Sequence, residues 1–202
     1  MTTMLETGSA RRLRAVWTTA HAPVAGTSRW ARTAALAVPF TVLPSSLWRI
    51  AACTFHAPIT RGPLDYAHVP SGVPGVPIGL YVIVLSIASE LAAFTAVGLV
   101  ATWGETFPRW IPVLRGRGVP VCASVVPAAL GGAALTLLWT WVMVSYLLGR
   151  GVDGRLLTGV GVLSLDDWKG LLAIVAYAPL VLWGPLLGAV TISYWKRRRH
   201  AA

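Results

Sequence analysis

Residues 79–103, GLYVIVLSIASELAAFTAVGLVATW, carry one charged side chain, Glu90, in twenty-five positions. Crossing a hydrocarbon core about 30 Å thick takes roughly 20 mainly apolar residues at 1.5 Å rise each, so this stretch reads as a transmembrane helix. Glu90 has eleven residues of the stretch before it and thirteen after. That spacing puts the carboxylate about 16 Å from the nearer boundary, close to the bilayer midplane.

Three other stretches have the same character: 33–55, 120–148 and 170–194. The whole chain of 202 residues is 55% hydrophobic and 12% charged, with a mean hydropathy of +0.66. Soluble domains carry roughly 25% charged residues. Such a composition excludes a disordered chain, and two cysteines exclude a disulfide-stapled domain. Lipid leaves no partner for an unpaired backbone group, and no alternating strands of barrel type occur, so the spans are read as helices. The predicted fold class is all-α: a polytopic membrane protein with four transmembrane helices in a bundle. Its parts are a basic tail at 1–32, a transmembrane domain at 33–195 and a second basic tail at 196–202.

The span at 33–55 is the least regular. Pro39 and Pro44 interrupt it and Arg49 lies near its end. Prolines are tolerated where neighbours satisfy the freed carbonyls, and a terminal arginine snorkels to the headgroups; a re-entrant segment is the alternative. Residues 1–32 lack the apolar core of a signal peptide and are expected to be retained.

Lysine and arginine set the orientation. Twelve of the seventeen fall on one side: Arg11, Arg12, Arg14, Arg29 and Arg32; Arg109, Arg115 and Arg117; and Lys196 to Arg199. The other side holds Arg61, Arg150 and Arg155 among Asp65, Asp153, Asp166 and Asp167. The positive-inside rule then makes both termini cytoplasmic. The net charge of +10 is thereby read as juxtamembrane anchoring to anionic headgroups, not as nucleic-acid binding. Cys53 and Cys122 are assigned to opposite leaflets, so no disulfide is expected between them.

A charged carboxylate at a helix centre costs about 3 kcal/mol to insert, so Glu90 should be protonated or face a partner. Helix counting places Arg49 about 7 Å away along the membrane normal, and a Glu90–Arg49 pair between the first two spans is the natural expectation. At similar depth on the fourth span lie Tyr177 and Trp183, bracketing Pro179. With Glu90 and Arg49 they form a candidate intramembrane polar site; the competing reading is plain helix packing, which small residues such as Ala128, Gly132, Gly184 and Gly188 favour. In the loop 103–112, Glu105 and Arg109 are candidate interfacial contacts. His56, Asp65 and His68 match no zinc spacing, and Gly159 with Gly161 lacks the third glycine and the strand of a dinucleotide motif. No metal or cofactor is therefore expected. Asp166 and Asp167 read as caps of the fourth span.

Pro44-Ser-Ser-Leu-Trp-Arg49, Ser89-Glu90, Trp103-Gly-Glu-Thr-Phe-Pro-Arg-Trp110 and Tyr177-Ala-Pro-Leu-Val-Leu-Trp-Gly-Pro185 resemble a group of uncharacterised bacterial four-helix membrane proteins of high-GC genomes. The resemblance implies the four-span topology and carries no activity with it. Two functional classes follow from the residues. One is a non-enzymatic binding or accessory protein of the cytoplasmic membrane, partnered by lipid, a second copy or another membrane protein. The other is a small ion-coupled transporter using Glu90. An enzyme is disfavoured because no nucleophile and base share a depth.

Overall fold

The computed structural model describes residues 24, 26–60, 75–105, 118–151, 154 and 167–200. Every long element among them is a helix: α1 Arg29–Cys53, α2 Ile78–Gly98, α3 Val121–Leu147, α4 Trp168–Tyr177 and α5 Trp183–His200. The five residues Ala178–Leu182 join α4 to α5 as a 3-10 turn, so Trp168–Arg199 counts as one span. Four helices are thus long and apolar enough to cross a membrane.

Local chemistry fixes where the helices start and stop. The Ser28 hydroxyl accepts from the Ala31 N–H and caps α1; the Asp167 carboxylate accepts from the Gly170 N–H at 2.8 Å and caps α4. Asp166, assigned the same role from sequence, lies outside the described residues. α1 continues through both prolines. Within that loosened stretch Thr41 and Ser45 donate to the carbonyls of Val38 and Val42 at 2.7 and 2.8 Å, so their buried hydroxyls are satisfied locally. α3 ends where Gly149 turns left-handed (φ 66°), with the Arg150 N–H bonded to the Ser145 carbonyl at 2.8 Å.

α2 stops at Gly98, short of the Trp103 expected from hydropathy. The chain reverses there, and a 3-10 turn at Thr102–Gly104 lays the Trp103 indole over Gly98 and parallel to Phe94, with ring centroids 6.1 Å apart. A Cβ on Gly98 would come within 2.7 Å of that indole, and one on Gly104 would strike the Gly98 carbonyl. Two glycines therefore permit the reversal.

α1 is the central element. It packs along α2 on one side and against α4, the 3-10 turn and α5 on the other, whereas α3 packs on α5. α3 and α5 touch backbone to backbone: a Cβ on Gly132 would meet the Gly184 carbonyl at 3.3 Å, and one on Gly184 would strike Thr136. Small residues make that approach possible. The main core joins Val38, Val42, Ala93, Leu180, Trp183, Leu187 and Tyr194; a smaller cluster holds Trp48, Ala52, Ala173 and Ala176. In α3 only Gly132 and Ser145 are buried, which leaves most of that helix to face whatever surrounds the protein.

Candidate functional site

The register of α1 against α2 follows from their shared end. The Thr54 hydroxyl donates to the Gly79 carbonyl at 3.3 Å, so in this antiparallel pair Ser46 lies level with Ser86 or Ile87, and Glu90 level with Leu43. Arg49 is six residues beyond Leu43, an axial offset of about 9 Å at helical rise. This separation explains why Glu90 and Arg49 form no direct ion pair. The Ser46 hydroxyl accepts from Arg49 Nη2 at 3.5 Å, the long limit for such a bond.

Tyr177 connects this seam to the rest of the fold. Its ring meets Trp48 edge-on at 5.6 Å and lies 6.3 Å from Trp139 of α3, an aromatic row from α1 through the end of α4 to α3. Trp183 does not join them. It sits in the main core, and no hydrogen bond, ion pair or ring contact links it to Glu90, Arg49 or Tyr177. Glu90, Arg49 and Tyr177 are likewise joined to one another by no hydrogen bond, ion pair or ring contact: Arg49 bonds Ser46, and Tyr177 packs on Trp48, on Trp139 and on the main core.

Buried polar atoms are unmet around the seam as they are at Trp183 Nε1 and Tyr194 Oη in the main core. Arg49 Nε, Trp48 Nε1, Trp139 Nε1, Ser86 Oγ and Glu90 Oε1 are buried and have no hydrogen-bond partner. Buried polar groups are paired in the great majority of cases, and an unpaired one costs about 1–3 kcal/mol. Trp48, Arg49, Ser86 and Glu90 contribute these atoms from two packed helices, a combination of donors and an acceptor that suits a ligand or a proton path offering both. Sequence reasoning missed Ser46, Ser86, Trp48 and Trp139. A signal for the serines existed: Ser46 precedes Arg49 by three residues and Ser86 precedes Glu90 by four, the spacings that put side chains on one helix face.

The interfacial candidates separate differently. Arg109 lies outside the described residues, as do Asp65 and His68. Glu105 pairs instead with the C-terminal helix. Arg197 Nη2 donates to its Oε1 at 2.6 Å and to the Leu99 carbonyl at 3.3 Å, while Arg197 Nη1 donates to the Thr27 hydroxyl at 2.5 Å. Arg198 Nη1 is 3.9 Å from Glu105 Oε2 and its Nη2 donates to the Val119 carbonyl at 3.1 Å. The Val119 N–H in turn donates to the Glu105 carbonyl at 2.9 Å. This clasp ties the segment before α1, the turn after α2, the approach to α3 and the end of α5. Among the described residues no three potential metal ligands cluster.

Comparison with protein-family models, with curated proteins and with solved structures gave no match.

Proposed function

We propose that the protein is a multi-pass component of the cytoplasmic membrane that acts by binding, with the Ser46–Arg49–Glu90 seam as its site. The observation that carries this reading is that Trp48 Nε1, Arg49 Nε, Ser86 Oγ and Glu90 Oε1, on two packed spans, are buried without a partner. Unmet polar groups in a span are destabilising, and unlike the orphaned Trp183 and Tyr194 of the core these include two ionisable side chains. The four spans form a bundle whose basic end, with Arg29, Arg32 and Lys196–Arg199, faces the cytoplasm under the positive-inside rule. A cysteine placed at Ala57, in a background lacking Cys53 and Cys122, is expected to react with an impermeant maleimide from outside the cell. Labelling only after lysis contradicts that orientation.

A second reading, a small ion-coupled transporter, is favoured by one observation: Glu90 Oε1 is not held by Arg49 or any other donor, so its proton is not tied to a fixed partner. Proteoliposomes carrying an internal pH dye separate the two. Binding alone expects no protein-dependent proton flux under an imposed gradient. Transport expects flux in the wild type and its loss in Glu90→Gln, with the variant still folded. If Glu90→Gln fails to assemble, the seam is architectural and both readings fall.

A further inference from the structure

A cavity of about 470 Å3 separates α2 from α3, walled by Thr95 and Gly98 on one side and Ser124, Gly131 and Leu135 on the other, with Trp183 beneath. From Ser124 to Leu135 it runs about 16 Å along the helix axis. It falls within the roughly 300–1,000 Å3 of small-ligand sites.

The surroundings of the cavity decide what fills it. Thr95 and Pro127 on its rim are exposed, and so are the adjoining Leu91, Phe94, Val126 and Leu130. With these helices in a bilayer, all of them face hydrocarbon, and an unfilled apolar gap forfeits dispersion contacts. At the basic end the turn at Gly104 lines the cavity, and Arg198 bridges from Glu105 to the Val119 carbonyl. Arg197 already engages Glu105 at 2.6 Å. Arg197 and Arg198 therefore share the single negative charge of Glu105, and Lys196 and Arg199 have no carboxylate partner among the described residues.

We propose that this cleft holds one acyl chain of an anionic phospholipid, with the lipid phosphate beside Arg198. Hydrocarbon matches the walls, and a phosphate matches the guanidinium of Arg198, whose partner Glu105 directly follows the lining residue Gly104. The proposal rests on the spans lying in a bilayer and is independent of the Glu90 seam, which is altered by different variants.

Gly131 supplies the test, because a Cβ there meets nothing within 4 Å and a larger side chain enters the cavity without displacing its neighbours. The full chain is reconstituted in bilayers of phosphatidylcholine with phosphatidylglycerol, and retained lipid is counted by native mass spectrometry after annular lipid is stripped. The wild type is expected to keep one phosphatidylglycerol. Gly131→Leu, and independently Thr95→Phe from the α2 wall, are expected to lower that retention at least tenfold, and Arg198→Gln to lower the preference over phosphatidylcholine about threefold. Unchanged retention in a folded cavity-filling variant overturns the proposal. Equal retention of the two lipids by the wild type overturns its headgroup assignment.

Discussion

The two polar clusters of this protein sit toward opposite ends of the same helices and are built on opposite terms. In the clasp at the basic end, Glu105 and Arg197 find partners at 2.5–3.3 Å and close contacts among four separate segments. In the seam between α1 and α2, Arg49 reaches only the Ser46 hydroxyl, at 3.5 Å, and Trp48 Nε1, Arg49 Nε, Ser86 Oγ and Glu90 Oε1 are buried with no partner. A satisfied cluster lowers the free energy of one arrangement. An unsatisfied one raises it and persists where something other than stability requires it.

The difference can be broken most forcefully at Gly104. A Cβ there strikes the Gly98 carbonyl, so Gly104→Ala must shift the turn that presents Glu105 to Arg197; unfolding in bicelles is expected to show a loss of about 4 kcal/mol, more than the pair itself is worth. Removing one partner comes next. Arg197→Ala leaves Glu105 and the Leu99 carbonyl without their donor, and a loss of about 3 kcal/mol is expected in the same assay. A change below about 1 kcal/mol there shows that solvent replaces the arginine and that the clasp is no staple.

The seam should respond the other way. Replacing both charges, Arg49→Met with Glu90→Gln, is expected to leave unfolding free energy within about 1 kcal/mol of the wild type or raise it, since buried charges with poor pairing are often improved upon by apolar or neutral groups. A loss as large as that of Arg197→Ala makes the seam structural. The smallest effect is that of salt. The clasp is partly exposed, at 13% and 18% for Arg197 and Glu105, so raising salt to about 0.5 M is expected to lower the melting temperature of the wild type slightly more than that of Glu105→Gln. Identical shifts remove screening from the explanation.

Much of this comparison was legible in sequence, and the part that was not has a physical cause. Length and apolarity located four spans because the bilayer imposes a length that few other environments do. Glu90 and Arg49 stood out because charge in a span is costly. Their register was not legible: helix counts from assumed ends put them about 7 Å apart, whereas the Thr54–Gly79 contact fixes an offset of about 9 Å, and Arg49 reaches Ser46 instead. Glu105 and Arg109 are legible only as interfacial candidates of one loop; the partner of Glu105 is Arg197, 92 residues away, and nothing local encodes a pairing across that distance. Trp183, selected for its depth, faces the core, because depth along a helix says nothing about which way a residue points around it.

The central claim is that the seam between α1 and α2 is a reachable polar site inside the membrane domain, and thiol accessibility tests it directly. In a chain lacking Cys53 and Cys122, single cysteines are placed at Ser46 and Ser86, both buried in the seam, and at Val38, buried in the apolar core. A small hydrophilic methanethiosulfonate reagent added to membranes is expected to modify residues 46 and 86 at least tenfold faster than residue 38. Equal and negligible rates at all three positions contradict the claim and make the orphaned atoms a sealed feature of helix packing.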